Sequence, residues 1–141
     1  MLTTLVIRNE AAELRRMSEW LVRHCAAAAI PDDPVQRLEV CANEALANII
    51  SYAYQEDGAH TIRLELWAAD GGVRLTVRDD GQPFNPLQAP DHQQPASLDE
   101  AQIGGLGIHL MRRLLTRWEY RRDSGCNVLC MSITPVGEAH A

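Results

Sequence analysis

The sequence predicts an α+β fold, a two-layer sandwich with helices on one face of a mixed, largely antiparallel sheet. Three observations carry this. Apolar residues recur at helical spacing in two stretches of the N-terminal half, alternating segments later in the chain are joined by short glycine turns, and strands and helices come in clusters rather than in strict alternation. A doubly wound parallel fold would need that alternation.

Residues 2–8 read as a first strand, and Asn9 is placed to cap a helix whose apolar stripe is Leu14, Met17, Leu21, Cys25 and Ala28. Asp33 before Pro34 then supplies an N-cap and a first-turn proline for a second helix. Its buried face is Leu38, Cys41, Ala42, Ala45 and Ile49, and it should run to about Tyr52. Past a polar turn at Asp57 and Gly58, Ile62, Leu64 and Leu66 alternate with Arg63, Glu65 and Trp67. Asp70-Gly71-Gly72 turns the chain into Val73, Leu75 and Val77, which makes a hairpin. Residues 87–103 carry Pro90, Pro95, four Gln and few large apolar side chains, the composition of a long functional loop or lid. Gly104 and Gly105 open a third helix bearing Leu110, Met111, Leu114 and Leu115. A strand from Trp118 to Arg122, a turn at Asp123-Ser124-Gly125 and a last strand from Asn127 to Thr134 follow, with a frayed tail over residues 135–141.

With 141 residues, one domain spanning 1–141 is expected, large enough to bury roughly 70% of its unfolded surface. A net charge of -6 argues against direct nucleic-acid binding and leaves a protein partner as the better expectation. All thirteen basic residues are Arg, so a P-loop lysine is excluded, and phosphate must be met by guanidinium or backbone N–H groups. Cys25, Cys41, Cys126 and Cys130 lack zinc-site spacing, since the last two would sit about 13 Å apart along a strand. All four read as small buried apolar residues. The opening stretch is too short for a signal sequence and no apolar run is of membrane-spanning length, so a cytoplasmic protein that uses no membrane is expected.

Three segments are suited to chemistry. Glu44 and Asn48, four apart, share one face of the second helix. Mg²⁺ favours oxygen ligands, which the Asn48 amide offers, and a Glu, titrating near about 4.3 when unperturbed, is a proton acceptor at neutral pH. Taken alone, the pair is better explained as a solvated helix face. Asp79-Asp80-Gly81-Gln82-Pro83-Phe84 ends a strand and enters a turn, which is ordinary turn chemistry by itself. As a binding element, the Asp79 carboxylate would accept a hydrogen bond from the exocyclic amine of adenine, where guanine carries a carbonyl. Gly81 would let backbone approach the base or ribose, and Asp80 is the competing acid. Gly104-Gly105-Leu106-Gly107-Ile108 joins a loop to a helix start, where free N–H groups and the dipole favour phosphate, or where the glycines serve as a lid hinge.

In this order, Glu44-Ala45-Leu46-Ala47-Asn48, the Asp79 segment and Gly104-Gly105-Leu106-Gly107-Ile108 resemble the N, G1 and G2 boxes of the GHKL ATPase superfamily. Within it the chain is most similar, over roughly residues 8–134, to the anti-sigma factor serine kinases of bacterial partner-switching systems. By position, the resemblance implies ATP and Mg²⁺ as cofactors, with Glu44 as catalytic base and Asn48 as the metal ligand. Asp79 becomes the adenine contact, and Gly81, Gly104, Gly105, Leu106, Gly107 and Ile108 the nucleotide-binding and lid positions. It also implies a homodimer that binds a sigma factor and phosphorylates a serine on a small STAS-domain antagonist. Two alternatives stay open: a nucleotide-dependent protein-binding module without transfer, and the ATP-binding part of a histidine kinase. Residues 87–103 hold no Arg or Lys, so Arg112, Arg113 or Mg²⁺ must meet the transferring phosphate. Arg15, Arg16 and Arg23 are candidates for contact with an acidic partner, against the plainer reading of a solvated helix face.

Overall fold

A computed structural model describes residues 1–54, 58–86 and 111–135. Strand β1 (Leu2–Arg8) leads into helices α1 (Glu13–Ala27) and α2 (Asp32–Tyr52), followed by strands β2 (Thr61–Ala69), β3 (Gly72–Asp79), β4 (Arg117–Asp123) and β5 (Cys126–Ile133). The five strands form one sheet in the order β1-β2-β3-β5-β4, and every pairing among the described residues is antiparallel. Both hairpins close as the sequence requires. Asp70 (φ 55°) with Gly71 (φ 78°), and Ser124 (φ 51°) with Gly125 (φ 80°), each place two consecutive residues in the left-handed region, the turn whose twist matches the flanking strands.

Alternation along the strands decides which side chains face the helices. Register aligns Leu64, Val77 and Leu129 across three strands, then Leu66, Leu75 and Met131, then Ala68, Val73 and Ile133, all buried. Against them pack Met17, Trp20, Leu21 and Cys25 of α1 and Leu38, Cys41, Ala42, Ala45, Leu46 and Ile49 of α2. The same face changes character at one end. There Ile62 is followed across the ladder by Asp79 and Asn127, two polar residues each 2% exposed. That end of the sheet, beside the C-terminal half of α2, holds two of the three buried polar residues among the described residues, the third being Glu13 at the start of α1.

Three local expectations are corrected. Asn9 does not cap α1, which starts at Glu13 with Ala12 at the N-cap and no side-chain cap. Asn9 instead extends the β1–β2 pairing. Its backbone N–H donates to the His60 carbonyl (3.0 Å), its Oδ1 accepts from the His60 N–H (3.0 Å), and its Nδ2 donates to the Gly58 carbonyl (3.1 Å). Completing a ladder satisfies more backbone groups than one cap would. The cysteines also divide. Cys25 and Cys41 are buried, and burial pushes both thiols up to about 11, whereas Cys126 and Cys130 are only partly buried. Alternating with Asn127 and Leu129, they point to the opposite face of the sheet. The start of α2 lies at Asp32, one residue before the expected cap, and Asp33 in its first turn pairs with Arg37 (3.4 Å).

Candidate functional site

Helix α2 contributes a stripe of three polar residues. Arg37, Glu44 and Asn48 are spaced i, i+7 and i+11, so they stand one above another along one side of the helix. Arg37 uses Nη2 to donate to the carbonyl of Leu114, on the short helical stretch 111–114 that follows the glycine-rich segment. Met111 and Leu115 anchor that stretch in the core. Glu44 is half-buried and has no ion-pair partner among the described residues. Asn48, also half-buried, donates through Nδ2 to the Pro86 carbonyl (3.2 Å), which lies at the end of the turn begun by Asp79.

That turn is bound to α2 at several further points. The Gln82 backbone N–H donates to the Ala53 carbonyl (2.7 Å), its side chain donates to the Tyr52 carbonyl (2.8 Å), and the Phe84 ring lies 5.9 Å from that of Tyr52. Gly81 is required here for a reason the sequence did not disclose. A Cβ at this position would lie 2.4 Å from the Ala53 carbonyl oxygen, so the close approach that needs glycine is to the end of α2 within the chain itself. The first two motifs are therefore one construction, though 31 residues separate Asn48 from Asp79 in sequence.

The two adjacent acids point opposite ways, as strand alternation demands. Asp79 is buried at the end of β3, while the Asp80 side chain is 59% exposed and sits 3.5 Å from His60 Nδ1, whose ring stacks on Tyr54 at 4.5 Å. Asp79 Oδ1 accepts from the Gly81 N–H (2.9 Å) and from Asn127 Nδ2 (2.9 Å). Burial raises the Asp79 carboxyl above its ordinary range, while these two hydrogen bonds pull the other way. The Tyr54 hydroxyl lies nearby, buried and without a hydrogen-bond partner among the described residues, and burial with the adjacent Asp79 raises its pKa as well.

Asn127 is the residue that sequence reasoning missed, because it was legible only as the first residue of the last strand. The available signal was its phase: it occupies a core-facing position ahead of Leu129, Met131 and Ile133. Its Nδ2 also donates to the Gln82 carbonyl (2.8 Å). Its Oδ1 accepts from the Phe84 N–H (3.1 Å), from Arg122 Nη1 (3.1 Å) and from the Tyr120 hydroxyl. Arg122 Nη1 donates in addition to the Gly81 carbonyl (2.8 Å). Gly104, Gly105, Leu106, Gly107 and Ile108, and the lid at 87–103, lie outside the described residues. Arg112 and Arg113 are exposed on the stretch that follows. Of the first-helix arginines, Arg16 is held by the chain itself, donating to the Val6 carbonyl and to Glu13 (both 3.2 Å), and Arg15 and Arg23 are exposed.

The described part of the site is thus a helix bearing a carboxylate and an amide, joined to a turn with a buried acid. Residues 7–133 match the model of the histidine kinase-like ATPase domain. The chain belongs to this family. Among similar proteins, the serine/threonine-protein kinase BtrW of Bordetella bronchiseptica is 38% identical over 95 residues, covering 67% of each chain. The serine-protein kinase RsbW of Bacillus licheniformis is 29% identical over 106 residues, covering 68% of this chain and 63% of that one. RsbW of Bacillus subtilis is 26% identical over 100 residues, with 68% and 62% covered. The chain thus spans about two thirds of BtrW and slightly less of the RsbW kinases. Among the described residues no helix is long and apolar enough to cross a membrane.

Proposed function

We propose that this member of the histidine kinase-like ATPase family is a cytoplasmic protein-serine kinase and anti-sigma factor. It transfers the γ-phosphoryl group of ATP to a serine of a STAS-domain anti-anti-sigma partner, and as a homodimer it sequesters a sigma factor. The observation that supports this most is the joining of α2 to the Asp79 turn. Asn48 is tied to Pro86, and a buried acceptor carboxylate stands at the end of β3 in a chain 38% identical to a serine/threonine-protein kinase.

In this reading Asp79 presents Oδ2 to the adenine amine, because Oδ1 already receives two donors. A guanine carbonyl at that place would meet a carboxylate with no hydrogen between them. The backbone at Gly104, Gly105, Leu106, Gly107 and Ile108 supplies N–H groups to the phosphates. The residue set fits a hard cation: Asn48 offers a neutral amide oxygen to Mg²⁺, and when bound the metal screens charge on the phosphates. Glu44, one helical turn away, accepts the proton of the serine hydroxyl as that oxygen bonds to the γ-phosphorus and the bond to the ADP oxygen breaks. Positioning and charge do most of the work in such a transfer.

The test incubates the chain with labelled ATP, Mg²⁺ and a STAS-domain protein encoded beside it. Acid-stable label on a serine, lost by about 100-fold or more in rate in Glu44→Gln, is the expected result. A Glu44→Gln rate within about threefold of the parent removes the base role. Acid-labile label on a histidine favours the histidine-kinase reading. The absence of Arg and Lys from residues 87–103 favours a second reading, a nucleotide-dependent binding module without transfer. Partner association that responds to ATP with no labelled product would establish it.

A further inference from the structure

The carboxamide of Asn127 has only one orientation available to it. Its oxygen receives three donors, from the Phe84 backbone, Arg122 and Tyr120, while its nitrogen faces two oxygens, those of Asp79 and Gln82. Turning the amide by 180° would set its nitrogen against the Phe84 and Arg122 donors and its oxygen against the Asp79 and Gln82 oxygens, a mismatch at four of the five contacts, since only the Tyr120 hydroxyl can accept as well as donate. The side chain is 2% exposed, so solvent cannot make up the loss.

We infer that Asn127, locked by Tyr120 and Arg122, is a positioning residue that fixes Asp79 as a pure hydrogen-bond acceptor and thereby sets the preference of the pocket for adenine over guanine. The inference rests on the reading of Asp79 as the base contact. Its logic is geometric. Asn127 Nδ2 and the Gly81 N–H both land on Oδ1, at 2.9 Å each, the first from the neighbouring strand β5 and the second from the turn that follows β3. Two donors on one oxygen hold the carboxylate plane and favour the ionised form, so Oδ2 faces the base without a proton. Burial works against that ionised form, and Asn127 is the largest influence opposing it. Without Asn127 the Gly81 N–H alone holds the carboxyl, which can then turn about that contact or take up a proton more readily, and a protonated Oδ2 would donate to the guanine carbonyl. Arg122 reinforces the lock from β4, because the same Nη1 that donates to Asn127 also donates to the Gly81 carbonyl (2.8 Å).

Calorimetric titration of Mg-ATP and Mg-GTP into the full chain and its Asn127→Ala variant tests this. The ratio of the two dissociation constants is the readout, since a loss of general stability would weaken both nucleotides alike. The ratio is expected to fall by about tenfold or more, with the loss on the ATP side, the scale set by a buried polar group left without its partner. A ratio unchanged within about twofold in a cooperatively melting variant overturns the inference. If Asn127→Ala does not fold, the double variant Tyr120→Phe with Arg122→Met carries the test, because it keeps Asn127 and removes two of its three orienting donors. An unchanged ratio there overturns it equally. A parent chain that binds ATP and GTP alike contradicts the reading of Asp79 itself, whereas a discriminating parent with indifferent variants contradicts only the role of Asn127.

Discussion

Asp79 sits where a charge is costly, buried at the end of β3 beside the end of α2, and among the described residues it is Oδ1 that receives its hydrogen bonds. Folding raises its pKa, so the folded chain holds this proton more tightly than the unfolded chain does. The contribution of Asp79 therefore favours folding at pH values below its unfolded pKa and turns into a cost as pH rises through the folded value. Asp79→Asn keeps an oxygen for Gly81 and Asn127 and removes the charge. Thermal melts should place this variant no lower than the parent at pH 8, with the difference narrowing as the pH is lowered. A variant that melts well below the parent at pH 8 would show that the carboxylate stabilises the fold, contrary to this account. Glu44 and Asn48 were legible in the sequence because helical spacing is a local property. The choice between Asp79 and Asp80 was not, because it depended on which strand face meets the helices.

At the scale of elements, the end of α2 and the turn after β3 behave as one unit, joined through Ala53, Gln82, Asn48 and Pro86. Gly81→Ala would force a Cβ to within 2.4 Å of the Ala53 carbonyl oxygen, a contact with backbone that cannot swing aside. Urea unfolding should show a loss of about 1–3 kcal/mol, the usual range for overpacking, and an unchanged midpoint would mean that α2 and the turn are not held together as described. The helices and hairpins themselves followed from pattern: α2 ends at Tyr52 as expected, and both glycine turns sit where the sequence put them. The start of α1 did not, because Asn9 found partners in Gly58 and His60, some fifty residues away, that no local cap signal could reveal.

For the whole molecule, the fold class was legible because clustered periodicities leave few arrangements that bury both helix stripes and one sheet face. The pairing of β3 with β5 was harder to read. It joins strands separated by β4 in sequence, and it alone brings Asn127 opposite Asp79. The buried Asp79–Asn127 pair is thus a product of topology acting on residues that look ordinary one at a time. Titration calorimetry of the folded chain with ATP in the presence of Mg²⁺ tests this most directly, with Asp79→Asn as the paired variant. Saturable heat from the parent that disappears in a folded Asp79→Asn is the predicted result. A parent that evolves no heat with ATP, or an Asp79→Asn variant that binds as tightly as the parent, would contradict it.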